Sequence, residues 1–215
     1  MNKQFRTTEI SDPAFESNNL RFITVKSKNL KGRGDICVFV PPLKDLSNVP
    51  LVILLHGVYG SAWSWSHQGG VHLSAWDLMQ KGELEPMVIA MPSDGLWGDG
   101  SGYLSHQKLD FEQWIVTDVP AAIQENITMV SAQSPMFISG LSMGGFGALR
   151  LGLKYPDKFQ AISAHSSITH LNQMALFVEE NLEEYIHTDT NEHSVLGILN
   201  KTAAKLPKIR FDCGT

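Results

Sequence analysis

Along the first half of the chain the rhythm of apolar positions changes once. Residues 20–27 and 35–40 mix apolar and polar positions, and the polar, glycine-bearing connection between them, Lys28-Asn29-Leu30-Lys31-Gly32-Arg33-Gly34, suits an antiparallel hairpin. From Leu51 onward the runs become continuous. Leu51-Val52-Ile53-Leu54-Leu55 and Met87-Val88-Ile89-Ala90-Met91 are uninterrupted apolar segments, the pattern of strands buried on both faces. Residues 135–139, 161–164 and 209–213 read as three further strands bounded by turn or helix-stop residues. Helical spacing falls between them, at 73–81, 111–126, 143–155, 171–187 and 194–206. Pro120 should kink or restart the second helix, and Pro156 should end the third.

Strands alternating with helices predict an α/β fold, with a mostly parallel central sheet, helices on both faces and an antiparallel N-terminal hairpin. A chain of 215 residues with 43% apolar and 18% charged residues is expected to form one soluble globular domain over 1–215. A formal net charge of -5 without any basic run argues against nucleic acid as a partner. The polar start and the lack of a long apolar stretch argue against a membrane, so a cytoplasmic location is expected. Cys37 and Cys213 fall on separate predicted strands without metal or redox spacing, which reads as two reduced, buried thiols.

The strongest chemical signal is Gly140-Leu141-Ser142-Met143-Gly144-Gly145, placed between the strand at 135–139 and the helix that begins near 143. A serine hydroxyl is a weak nucleophile. A sharp strand-to-helix turn exposes it to a base and sets it at a helix N-terminus that favours developing negative charge, and small residues on either side are what such a turn demands. A second loop, His56-Gly57-Val58-Tyr59-Gly60-Ser61, follows the central strand at 51–55, where ligands bind in open α/β sheets. Its Val58 amide and that of Met143 are the candidate oxyanion donors. Tyr59, Trp65 and Trp97 fall in loops at the same sheet edge and are the candidate pocket walls. His67 and His72 lack a metal-binding pattern, Gly98-Asp99-Gly100-Ser101-Gly102 lacks dinucleotide spacing, and no Walker lysine follows Gly145, so neither metal nor cofactor is expected.

These segments carry a family resemblance. His56-Gly57 with Gly60-Ser61 and a following Trp63 or Trp65, then Met91-Pro92-Ser93-Asp94-Gly95, Trp114 with Asp118-Val119-Pro120, Gly140 to Leu151 and Tyr155-Pro156-Asp157-Lys158-Phe159 resemble the esterase D-type putative esterases. That group of α/β-hydrolases includes S-formylglutathione hydrolases, tributyrin esterases, feruloyl and acetylxylan esterases and mycolyltransferases. The resemblance implies a Ser-Asp-His triad, an oxyanion hole at the Val58 and Met143 positions, and no cofactor. In the family the acid and then the histidine follow a segment like Asp212-Cys213-Gly214-Thr215, so both are expected beyond Thr215 and the C-terminal end of the fold is expected to be missing. Asp212 reads as a packing carboxylate within the last strand, and His165, His170, His187 and His193 as loop or helix-end histidines. The expected function is serine carboxylesterase action on a small ester or thioester through an acyl-Ser142, with S-formylglutathione as one candidate substrate. Acyl transfer from the same intermediate, or a non-catalytic hydrolase fold that binds a partner, are the alternatives, and a homodimer is the one assembly considered.

Overall fold

A computed structural model of the chain describes residues 4–185, 189–202 and 205–214. Its centre is a sheet built from β1 (Thr8–Ile10), β2 (Leu20–Ser27), β3 (Gly32–Phe39), β4 (Leu51–Leu55), β5 (Val88–Pro92), β8 (Met136–Leu141), β9 (Phe159–His165) and β10 (Lys208–Asp212), while β6 (Ser105–His106) and β7 (Leu109–Asp110) form a separate small hairpin. The strand order is β1-β2-β3-β5-β4-β8-β9-β10. β1 to β3 pair antiparallel, β3 meets β5 antiparallel, and β5, β4, β8, β9 and β10 run parallel.

The pleat explains the uninterrupted apolar runs. Leu51, Ile53 and Leu55 of β4, with Val88 and Ala90 of β5, enter one core, whereas Leu54, Ile89 and Met91 enter the other. α2 (Val119–Asn126) and α3 (Met143–Lys154) cover the first face, and α1 (Val71–Gln80) covers part of the second through Ala75, Val71 and Trp76. Pro120 sits in the first turn of α2, where its missing N–H is not needed, and a π-helical turn at Trp114–Asp118 leads into it. The predicted helix restart is thus present. No helix among the described residues is long and apolar enough to cross a membrane.

The fold departs from the sequence pattern in several places. Instead of one helix over 171–187 there are two short 3₁₀ turns, Leu171–Leu176 and Leu182–Tyr185, and His187 lies outside the described residues. Long-range bonds take the backbone groups a helix would have used: the Tyr59 hydroxyl donates to the Phe177 carbonyl (2.6 Å), and the Glu179 amide donates to the Asp99 carboxylate (2.8 Å). The last helix, α4 (Val195–Lys201), is capped by Ser194 and ends before Thr202, whose backbone is extended. The β2–β3 turn is tighter than predicted, because β3 already begins at Gly32. Cys37 is buried as expected, but Cys213 is exposed, because β10 is an edge strand open on both faces.

α3 is anchored by a buried charge. Arg150 is fully buried and donates to the Glu112 carboxylate (2.7 Å) and to the Tyr103 carbonyl (2.6 Å), with Glu192 at 3.2 Å. Lys154 lies 2.9 Å from Glu112, and the Tyr155 hydroxyl also donates to Glu112. Burial alone would raise the Glu112 pKa, but the Arg150 charge and the bonds from Tyr155 and Lys154 bring it down to about 2. Removing one partner strands the other, so Arg150→Met should cost ~3–5 kcal/mol in urea unfolding. A loss below ~1 kcal/mol would contradict the network's role. Because the folded-state pKa of Glu112 lies below its ordinary 4.5, its contribution is complete above about pH 4.5 and is lost as the pH falls toward 2. Glu112→Gln should therefore flatten the acid limb of the stability profile in that window.

Candidate active site

The carboxyl ends of β4, β5, β8 and β9 all lie at one edge of the sheet, so the loops that follow them converge. Ser142 leaves β8 with φ 56° and ψ −117°, a sparsely populated conformation, and α3 begins at the next residue. Its amide donates to the His165 carbonyl (2.9 Å), and its own carbonyl accepts from the Phe146 amide (3.1 Å). Only glycine fits on either side. A Cβ on Gly140 would lie 2.1 Å from the Gly144 carbonyl oxygen, and a Cβ on Gly144 would lie 2.2 Å from the Leu55 carbonyl oxygen. The start of α3 therefore rests directly on the end of β4.

That contact sets the loop after β4 beside Ser142. A Cβ on Gly57 would be 3.4 Å from Ser142 Cβ and 4.0 Å from Ser142 Oγ. The Val58 and Met143 side chains meet at Gly100, where an added Cβ would be 3.5 Å and 2.5 Å from them respectively. Among the described residues neither the Val58 nor the Met143 amide donates a hydrogen bond, which leaves both backbone donors unpaired. His56 clamps this loop. Its Nδ1–H donates to the Gly57 carbonyl (2.7 Å), its Nε2 accepts from the Asp94 amide (3.0 Å), and the Tyr103 hydroxyl donates to the His56 carbonyl (3.0 Å). Asp94 is buried and accepts from the Leu96 (2.9 Å) and Ser101 (2.6 Å) amides. The positioning parts of His56 and Asp94 were not legible in the sequence, which shows both motifs but not that the two residues meet across 38 positions.

A cavity of about 330 Å³ opens here, walled by Gly57, Val58, Trp65, Gln68 and Leu141. Of the three aromatics singled out in the sequence, Trp65 lines it. Tyr59 is exposed and does not line it, and Trp97 is turned away, edge-on against His106 (4.4 Å) and Tyr185 (5.1 Å).

A family model described as putative esterase matches residues 27–203. The chain belongs to the putative esterase family. In sequence this esterase is 25% identical over 219 residues to an acetyl esterase from Caldicellulosiruptor saccharolyticus, covering 89% of this chain and 78% of that protein. In structure it matches an S-formylglutathione hydrolase from Agrobacterium tumefaciens with a TM-score of 0.73 at 19% identity, over 97% of this chain and 78% of the other. An S-formylglutathione hydrolase from Staphylococcus aureus gives a TM-score of 0.74 at 15% identity, over 95% and 80% of the two chains. The fold is that of the α/β-hydrolases, and the family is one of carboxylic ester hydrolases.

The esterase also holds an imidazole–carboxylate couple near the same edge. His165 Nδ1 lies 3.0 Å from Asp212 Oδ2, and its Nε2 lies 3.2 Å from Ser163 Oγ. Asp212 is thus a half-exposed partner of His165 rather than a packing carboxylate, because edge strand β10 places it beside the end of β9. Ile162 and Ala164 enter the core under α3, so Ser163 and His165 face the other side of the sheet. His170 accepts from the Asn172 amide (3.1 Å) as a cap, and His193 closes the short turn Thr190–His193. Ser142 Oγ has no hydrogen-bonded base among the described residues.

The two glycine contacts make a paired prediction. Gly144→Ala must push backbone against backbone and should lower stability by ~3 kcal/mol or more in thermal unfolding. Gly57→Ala, whose nearest contact of 3.4 Å is ordinary van der Waals distance, should cost under ~1 kcal/mol. Equal effects would show that the close approach at Gly144 is not what seats α3.

Proposed function

We propose that the chain is a serine carboxylesterase that cleaves short-chain acyl esters or thioesters through an acyl-Ser142 intermediate. The observation that carries this reading is the backbone of Ser142, held in a strained strand-to-helix turn against Gly57, with the Val58 and Met143 amides unpaired among the described residues. In the first half-reaction Ser142 Oγ bonds to the substrate carbonyl carbon while a base takes the hydroxyl proton. The carbonyl oxygen becomes an oxyanion that accepts from the Val58 and Met143 amides, each such donor being worth a factor of ~10² to 10³ in turnover. Collapse expels the alcohol or thiol, which takes the proton from the base, and water then repeats the sequence on the acyl-serine. The proposal keeps the family pattern in which an acid and then a histidine follow the segment Asp212-Cys213-Gly214-Thr215. The His165–Asp212 couple is not assigned this part, since its Nε2 meets Ser163 on the other face of the sheet.

Labelling with a fluorophosphonate tests the reading. Ser142 Oγ should displace fluoride, and the resulting mass increase should map to the peptide that contains Ser142. Ser142→Ala should show no label and should lose p-nitrophenyl acetate turnover by at least ~10³-fold. His165→Gln should leave the labelling rate within ~3-fold, against the ~10² to 10⁴-fold expected for loss of a general base. A Ser142 left unmodified in the full chain would overturn the proposal.

A further inference from the structure

The charge at the mouth of the site is one-sided. The loops at the carboxyl edge of the sheet, residues 56–70, 93–106, 140–147 and 165–185, contain Asp94, Asp99, Glu179, Glu180, Glu183 and Glu184 but no Lys or Arg. The whole chain holds 22 acidic and 17 basic residues with a net charge of -5, so outside these loops the two signs almost balance. The loops are tied into one structure. The Asp99 amide donates to Glu180 Oε1 (3.0 Å), the Glu179 amide donates to Asp99 Oδ2 (2.8 Å), and the Tyr59 amide donates to the Asp99 carbonyl (2.8 Å). Glu180 Oε2 is buried and has no hydrogen-bond partner among the described residues. Asp99, Glu179 and Glu180 are close enough to Tyr59 that their charges, after desolvation, raise its phenol pKa.

The same loops also carry exposed apolar side chains. Tyr59, Trp63, Leu96, Leu141, Leu176 and Phe177 are all exposed, and they come from the same loops. Tyr59 and Phe177 are joined through the phenol hydroxyl, and Leu141 leads from this ring into the cavity beside Ser142. Exposed apolar side chains around a cleft mark a surface that binds apolar groups. Low-dielectric walls that carry one sign of charge focus the field across the opening. A substrate group that extends past the cavity therefore gains by being apolar, and an anionic group must give up hydration next to carboxylates that no Lys or Arg among the described residues pairs with.

Resting on the reading of Ser142 as the nucleophile, we propose that this acidic, apolar collar restricts the enzyme to esters with neutral or cationic apolar groups and rejects anionic ones. Thioesters whose thiol half carries free carboxylates fall in the rejected class. The chain would thus differ in substrate from any structural relative that accepts such a thioester.

Three p-nitrophenyl esters of matched length separate the cases: the neutral pentanoate, the anionic hemiglutarate and the cationic 4-(trimethylammonio)butanoate. Their binding is read by tryptophan quenching in Ser142→Ala, which keeps the collar and consumes no ester. Their turnover is read in the native chain after subtraction of spontaneous hydrolysis. At low ionic strength the neutral and cationic esters should bind at least ~10-fold tighter than the anion, and the gap should shrink in ~0.5 M salt as the field is screened. The triple variant Asp99→Asn, Glu179→Gln, Glu180→Gln should reduce the neutral-to-anion ratio to below ~3-fold. If that variant does not fold, Glu183→Gln with Glu184→Gln should narrow the ratio in the same direction. Equal binding of anion and neutral ester at low salt overturns the inference while leaving Ser142 labelling untouched. Selective binding without labelling or turnover leaves the collar standing and overturns the esterase reading instead.

Discussion

The architecture of the site depends on one steric contact, the seating of the first turn of α3 on the carbonyls that end β4. With Gly144 against the Leu55 and His56 oxygens and Gly140 against Gly144, the backbone at Ser142 has no room to relax into an ordinary helical start. The same contact brings Gly57 to the side of Ser142, with the Val58 and Met143 side chains meeting at Gly100. A larger residue at Gly144 would separate β4 from α3, and one at Gly140 would separate β8 from α3, and either would release the strained backbone at Ser142.

Charge is used in two different ways within the chain. Around Arg150 it is buried and bonded through both terminal nitrogens, to Glu112, Glu192 and the Tyr103 carbonyl, and it holds α3 against the loop after β5. Tyr103 continues that chain of contacts to the His56 carbonyl, so the anchor of α3 and the clamp on the loop after β4 are mechanically linked. At the mouth Asp94, Asp99 and Glu180 accept from backbone amides, and among the described residues no Lys or Arg pairs with these carboxylates, which makes them a field rather than a support. Stability is served by the first arrangement, and the proposed discrimination between substrates by the second.

His56 with Asp94 and His165 with Asp212 are two pairs of histidine and aspartate in this chain, and proximity alone assigns neither of them. His56 uses both ring nitrogens on backbone groups at the base of the loop, which makes it a positioning residue. His165 has the bonding order of a catalytic imidazole, carboxylate on Nδ1 and hydroxyl on Nε2, but the hydroxyl belongs to Ser163 on the wrong side of the sheet. The alternation of side chains along β9 decides this: one residue of register separates a histidine that faces Ser142 from one that does not.

The parts of this protein that were legible in its sequence are those set by local rules. Continuous apolar runs marked the central strands, Pro120 and Pro156 marked helix boundaries, and small residues around Ser142 marked a turn that tolerates nothing larger. The loop at His56 was legible for the same reason, since its glycines follow directly from the end of a strand. Tertiary structure alone decided the rest. Residues 171–185 carry helical spacing yet form short turns, because Tyr59 and Asp99, some 80 to 120 positions earlier, take their backbone groups. Trp97 turned to His106 and Tyr185 instead of the cavity, and Asp212 turned to His165 across 47 positions. Local periodicity records which face of an element is apolar, but it holds no information about which distant group will compete for a backbone amide or a ring face, and those competitions shaped the mouth of the site.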